Sequence, residues 1–147
     1  MTKHIDAPIN LEGTVSDLTL AIGQLLRRLR QEVDHAGLTW SQSSALARLD
    51  REGAMTTAEL ARLESVKPQS MGATLADLEQ DGLIERQPHP SDGRQILLLL
   101  TDKGREVRRQ RNIAKQQWLL AGISRLAPDE QQTLIAATAL LKRLGDV

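Results

Sequence analysis

Two short stretches concentrate side chains that can make directional contacts. In the first, Gln69, Ser70 and Thr74 follow Pro68 and project opposite Met71, Leu75 and Leu78 on a helix. In the second, Pro88-His89-Pro90-Ser91-Asp92-Gly93-Arg94 lies between apolar runs of strand length, Leu83-Ile84 and Ile96 to Leu100. Pro, Ser, Asp and Gly are turn formers, so this segment reads as the tip of a hairpin. Amide, hydroxyl, imidazole and guanidinium groups placed this way suit hydrogen bonds and ion pairs. A helix followed by a two-stranded ribbon with a charged tip is a winged helix. Such a helix can enter a DNA major groove while the tip reaches the neighbouring minor groove.

Each of these residues also has a plainer reading. Arg94 can be a solvated turn arginine, and Asp92 a turn former beside Gly93. Gln69, Ser70 and Thr74 can be ordinary helix surface, or Gln69 and Ser70 can meet phosphate rather than a base. Signatures of catalysis are missing: the chain has no G-x-x-x-x-G-K-[ST] and no H-E-x-x-H, and no nucleophile–base motif is recognisable. An enzyme is not expected, and neither is a cofactor.

The elements that must position these groups follow from capping and periodicity. Pro68 suits a first helical position, and Gly82 suits the end of that helix. Upstream, Thr39-Trp40-Ser41-Gln42 and Thr56-Thr57-Ala58-Glu59 are capping-box patterns that open two short helices. Ser65-Val66 turns the chain into Pro68, which gives the helix-turn-helix order. Met55 is expected to add a short strand to the ribbon. From Thr14 onward, Val15, Leu18, Ile22, Leu25, Leu26, Leu29 and Val33 hold one helical face, ended by Gly37, with residues 1–13 as an arm or strap. After the ribbon, Thr101-Asp102 caps a long helix with a basic, exposed first third and Val107, Ile113, Trp118, Leu119 and Ile123 further on. Pro128-Asp129-Glu130 opens the last helix, with Leu134, Ala137, Leu140, Leu141 and Leu144 as its stripe and Gly145 as its end.

The expected architecture is therefore mainly α with a small β-wing, in one domain over 1–147. A winged helix-turn-helix lobe occupies about 39–101, and terminal dimerisation helices about 14–36 and 102–145. The long terminal stripes carry more apolar surface than a small lobe needs, which points to a symmetric dimer. Two reading helices about 34–36 Å apart would then match a palindrome.

Composition narrows the class further. With 147 residues, 40% hydrophobic and 26% charged, the chain can bury a core and is not disordered. It has no Cys, so disulfides, thiolate metal sites and thiol redox sensing are excluded. No signal-peptide core or membrane-length run is present, and a cytoplasmic protein is expected. Net charge is +0, but residues 86–115 hold eight Lys or Arg against three Asp or Glu, a local +5. Lys103, Arg105, Arg108, Arg109 and Arg111 form a basic stripe at one-turn spacing: either a solvated face or a phosphate-contacting one. Trp40 and Trp118 are the only aromatic rings, which argues against single-strand stacking platforms. His4, His35 and His89 are too far apart in sequence to suggest a metal site.

From Thr14 to Leu144 the sequence resembles the MarR family of bacterial transcription regulators. The marks are Leu38-Thr39 with Gln42, Thr57 to Leu63, Leu78-Glu79 with Gly82-Leu83-Ile84 and Arg86, Pro90-x-Asp92-x-Arg94, and Leu100-Thr101 with Gly104. The D-x-R motif is weak alone; the ordered set is specific. The resemblance implies a homodimer of winged lobes, usually a repressor of a nearby operon. Small phenolic or other lipophilic ligands binding between dimer helices and DNA lobe would relieve repression. It also implies that Arg94 enters the minor groove and that Asp92 holds it or its surroundings by a charge-assisted bond. Gln69, Ser70, Ala73 and Thr74 would face base edges, with His89 on the wing. Trp40 and Trp118 would either pack in the core or line an effector pocket.

One departure from the family matters. Pro68 to Asp81 contains no basic residue, and Asp77, Glu79 and Asp81 are acidic. Readout would rest on Gln69 with adenine, Thr74 against a thymine methyl, and Ser70. Affinity would come from Lys67 at the helix entrance, Arg94 and the basic helix start. The alternative is a winged helix used for protein contact, with DNA binding weakened.

Overall fold

The computed structural model describes residues 10–33 and 37–146. In chain order these form α1 (Leu11–Val33), α2 (Trp40–Glu52), α3 (Thr57–Leu63), α4 (Pro68–Gln80), β1 (Ile84–Pro88), β2 (Ile96–Leu100), α5 (Asp102–Ile123) and α6 (Pro128–Gly145). Most of the arm expected at the N-terminus, the end of the first long helix at 34–36, His4 and His35 lie outside the described residues.

Local chemistry explains the boundaries. Thr39 and Gln42 exchange side-chain-to-backbone hydrogen bonds of 3.2 and 2.8 Å at the start of α2. Thr56 and Glu59 do the same for α3, at 3.2 and 2.8 Å. Each such cap contributes about 1 kcal/mol. Gly82, at φ 72°, closes α4 in a left-handed turn: its N–H bonds Glu79 O, and the Leu83 N–H bonds Leu78 O at 2.9 Å. The reading of residues 1–13 as an arm needs correction at its end. Asn10 Oδ1 accepts the Gly13 N–H at 3.0 Å, so α1 starts at Leu11, ahead of its apolar periodicity.

β1 and β2 pair antiparallel, Ile84 opposite Leu100 and Pro88 opposite Ile96. Met55 joins them, bridging to Leu98 through backbone bonds of 3.3 and 2.8 Å, as expected for the short extra strand. Ile96, Leu98 and Leu100 share one face of the ribbon; Leu98 and Leu100 enter the core, while Ile96, at the tip end opposite Pro88, stays exposed.

One apolar core binds α2, α3, α4 and the ribbon. Leu46, Leu60, Leu75, Leu78, Ile84 and Leu98 are its fully buried large side chains. At about 1.5–3 kcal/mol each, their burial is the main force holding the lobe together. Outside it, α1 buries only Val33 and α6 buries nothing. The apolar stripes of the long helices exist, but Val15, Leu25, Leu140 and Leu144 stand open to solvent in the single chain.

Candidate nucleic-acid interface

α4 is held by its inner face. Met71, Leu75 and Leu78 are buried, which turns Gln69, Ala73, Ala76, Asp77 and Gln80 outward. At 3.6 residues per turn these five fall on one side of the helix. Ala76 and Gln80 were not singled out from sequence; plotting the helix about its Met71–Leu75–Leu78 axis would have found them. Ser70 is exposed at the edge of this face. Thr74 is half-buried, and its hydroxyl donates to Ser70 O at 3.2 Å. It lines a cleft with Trp40, Ser41 and Ser44 of α2, away from the outward face that holds Gln69 and Ala73.

Of the three acids expected on or after α4, Glu79 is paired: Arg86 Nε on β1 reaches its carboxylate at 2.8 Å. Lys103 Nζ donates to Asp81 O at 2.7 Å, beside the C-terminal end of α4. Thr101 adds a bond from its hydroxyl to Gly82 O at 2.5 Å and one from its N–H to Leu83 O at 3.1 Å. The first turn of α5 is thus fastened to the end of α4. Gly104 permits this contact, because a Cβ there would sit 2.0 Å from Leu83 O.

At the wing tip, Asp92 Oδ1 accepts the backbone N–H of Arg94 at 3.1 Å. The carboxylate thus holds the surroundings of Arg94, shaping the turn, and leaves the guanidinium untouched. His89 Nδ1 accepts from the Ser91 and Asp92 backbone N–H groups, each at 3.2 Å, and the His89 backbone N–H donates to Gln95 O at 3.0 Å. His89 thus braces the tip from within, and only Nε2 can meet an outside partner.

The basic stripe of α5 is not a free cationic surface. Arg105 bonds Asp102 at 2.8 Å and Leu100 O at 3.0 Å. Arg109 forks onto Glu106 at 2.6 and 2.8 Å, and this bond, with a second from Gln110, holds the Glu106 carboxyl at about 2. Arg108 turns inward, its Nε 3.5 Å from Asp50, and Arg111 is buried. Burial, then repulsion from Arg108 and Arg111, lowers the Lys115 pKa. The expectation of an exposed basic first third holds for Lys103, Arg105 and Arg109 but fails for Arg108 and Arg111. By contrast, the side chains of Lys67 and Arg94 are exposed and make no hydrogen bond or ion pair among the described residues. Arg62 of α3 shares that condition and was not anticipated.

The tryptophans do not share a pocket. Trp40 is 60% exposed rather than packed in the core, with the Arg30 guanidinium 3.7 Å above its ring. It borders a cleft of about 110 Å³ with Ser44, Glu64, Val66, Ser70 and Thr74. Trp118 is half-buried and lines a separate cleft of about 300 Å³ with Arg28 and Arg125. Among the described residues no three His, Cys, Asp or Glu side chains converge as a metal cluster, and no helix is long and apolar enough to cross a membrane.

The MarR family model matches residues 38–96, which run from the cap of α2 through α4 and the wing tip. The HTH-type transcriptional regulator ML2140 of Mycobacterium leprae is 40% identical over 131 residues, covering 89% of this chain and 92% of that one. The chain belongs to the MarR family. Another of its relatives, the HTH-type transcriptional repressor Rv2887 of Mycobacterium tuberculosis, is 32% identical over 132 residues, covering 84% of this chain and 93% of that protein. A solved transcriptional regulator from Pseudomonas aeruginosa superposes with a TM-score of 0.85 at 30% identity, covering 95% and 99% of the two chains. These relatives are transcription regulators, two of them of the HTH type, and the winged lobe is the part on which the family match falls.

Proposed function

We propose that two copies of this chain pair through α1, α5 and α6 and bind a palindromic operator in the cytoplasm as a repressor. In each copy α4 lies in the major groove and the Arg94 tip in the adjacent minor groove. The observation that carries this reading is that the side chains of Lys67, at the entrance of α4, and Arg94, at the end of the wing, are unengaged, while the first turns of α5 hold Arg105 and Arg109 in ion pairs. Such cations suit phosphates and a narrow minor groove, where they displace counterions. Exposed apolar residues such as Leu25, Leu140 and Leu144 supply the surface for pairing. Repression is carried over from the named role of Rv2887.

Release by a small phenolic or lipophilic ligand belongs to the same proposal. The Trp40 cleft suits it better than the Trp118 cleft, because Ser70, Met71 and Thr74 of α4 line it and an occupant would touch the reading helix. Ligand titration followed by Trp fluorescence tests this: a saturable change lost in Trp40→Phe is expected, and a change lost only in Trp118→Phe would move the site.

A second reading has one observation in its favour. α4 carries no cation and presents Asp77 outward, which suits a protein partner better than a polyanion. A gel shift against the gene's own upstream region at low ionic strength, with sedimentation of the same sample, separates the two. A discrete complex of two chains per duplex is expected. A chain that binds no fragment supports the protein-contact reading instead.

A further inference from the structure

We propose that α4 reads A·T base pairs, through the Gln69 amide and the methyl groups of Ala73 and Ala76. This rests on the DNA-binding reading above and gives it a base preference. Burial of Met71, Leu75 and Leu78 fixes which side of the helix faces out, and that side presents Gln69, Ala73, Ala76, Asp77 and Gln80. Thr74, the obvious partner for a thymine methyl, is half-buried and lines the Trp40 cleft, whereas the methyls of Ala73 and Ala76 lie on the exposed face.

The chemistry of base edges then selects among the four pairs. Guanine shows two acceptors in the major groove, O6 and N7, and is met best by a forked cation. The outward face has none, and Asp77 would repel that edge. Adenine shows a donor and an acceptor, which a Gln amide matches with two bonds. Thymine adds a methyl that an alanine methyl can cover. Gln69 and Ala73 are one turn apart, as are Ala73 and Ala76, so amide and methyls follow one another along the groove. The unengaged cations Lys67, Arg62 of α3 and Arg94 of the wing lie off this face, where they suit backbone and minor groove without specifying a major-groove guanine.

Selection of bound duplexes from a random library with the full chain, followed by base-analogue substitution in the recovered operator, tests the assignment. A·T enrichment under α4 is expected. Replacing the contacted adenine by 7-deazaadenine lowers affinity at least about fivefold, and Gln69→Ala removes that penalty. Replacing a contacted thymine by deoxyuridine, which lacks the methyl, costs about fourfold, and Ala73→Gly abolishes the difference at one thymine per half-site. Glycine weakens a helix, so the analogue series on the unaltered protein decides the matter if that variant does not fold. Guanines enriched under α4 and sensitive to 7-deazaguanine, or thymines indifferent to loss of the methyl, overturn the base preference alone. A chain that recovers no duplex overturns the DNA-binding reading and this inference together.

Discussion

Residues 38–100 and the long helices on either side of them place their apolar side chains in opposite ways. In the lobe, Leu46, Leu60, Leu75, Leu78 and Leu98 are fully buried against one another. In α1 and α6 the same residue type is left in water: Leu20 is 61% exposed and Leu144 66%. Periodicity alone does not distinguish the two cases, since both show helical stripes. The difference is one of partners. Short helices crossing at a ribbon enclose a core within one chain. Long helices extending from it offer a face that only another surface can cover. The lobe should therefore hold its shape by itself, while the outer helices should depend on assembly.

The largest expected effect lies in the lobe. Leu75→Ala removes a fully buried side chain of α4 and should cost about 2–5 kcal/mol in chemical denaturation, with loss of DNA binding at 37 °C. A cost below about 1 kcal/mol would mean that the lobe is not a close-packed core. Next comes the outer surface. Leu140→Asp combined with Leu144→Asp should weaken self-association more than tenfold by sedimentation, while the lobe, whose core neither residue joins, should keep its fold. Unchanged association would remove α6 from the pairing surface.

A smaller effect is expected where α2 meets α3. Burial pushes the Glu64 carboxyl up, but the Ser44 hydroxyl and the Arg48 guanidinium, 2.8 Å away, outweigh it and hold the pKa below the ordinary carboxylate range. A group depressed in the folded state stabilises above its unfolded pKa, and that stability is lost as pH falls through the folded value. Glu64→Gln should therefore be less stable than the parent by about 1–2 kcal/mol at pH 7, with the gap closing under acid. Thermal melts of both chains from pH 7 to pH 3 measure it; a gap that widens toward low pH would reverse the sign assigned here.

Local sequence made much of the fold legible. Thr39 with Gln42 and Thr56 with Glu59 declare their helices within four residues, and Gly82 marks the end of α4 by its tolerance of positive φ. Even the Met55 bridge was readable from its apolar side chain beside the ribbon. What escaped depends on contacts between elements. Arg105 and Arg108 look alike on a helical projection, yet one caps a strand carbonyl while the other is drawn inward beside Asp50 of α2. Trp40 has core-forming character, but its place in the first turn of α2 leaves it under Arg30 in solvent. Ala76 and Gln80 carry no charge and so drew no attention, although the burial of Leu75 and Leu78 turns them outward.

The most direct measurement is operator affinity as a function of salt for the parent chain and for Arg94→Ala. The parent should bind with an affinity that falls steeply as salt rises. Arg94→Ala should stay dimeric by sedimentation, bind at least tenfold more weakly and lose about one unit of the log–log salt slope. Equal affinity and equal slope for the two proteins would contradict a wing arginine seated in the minor groove.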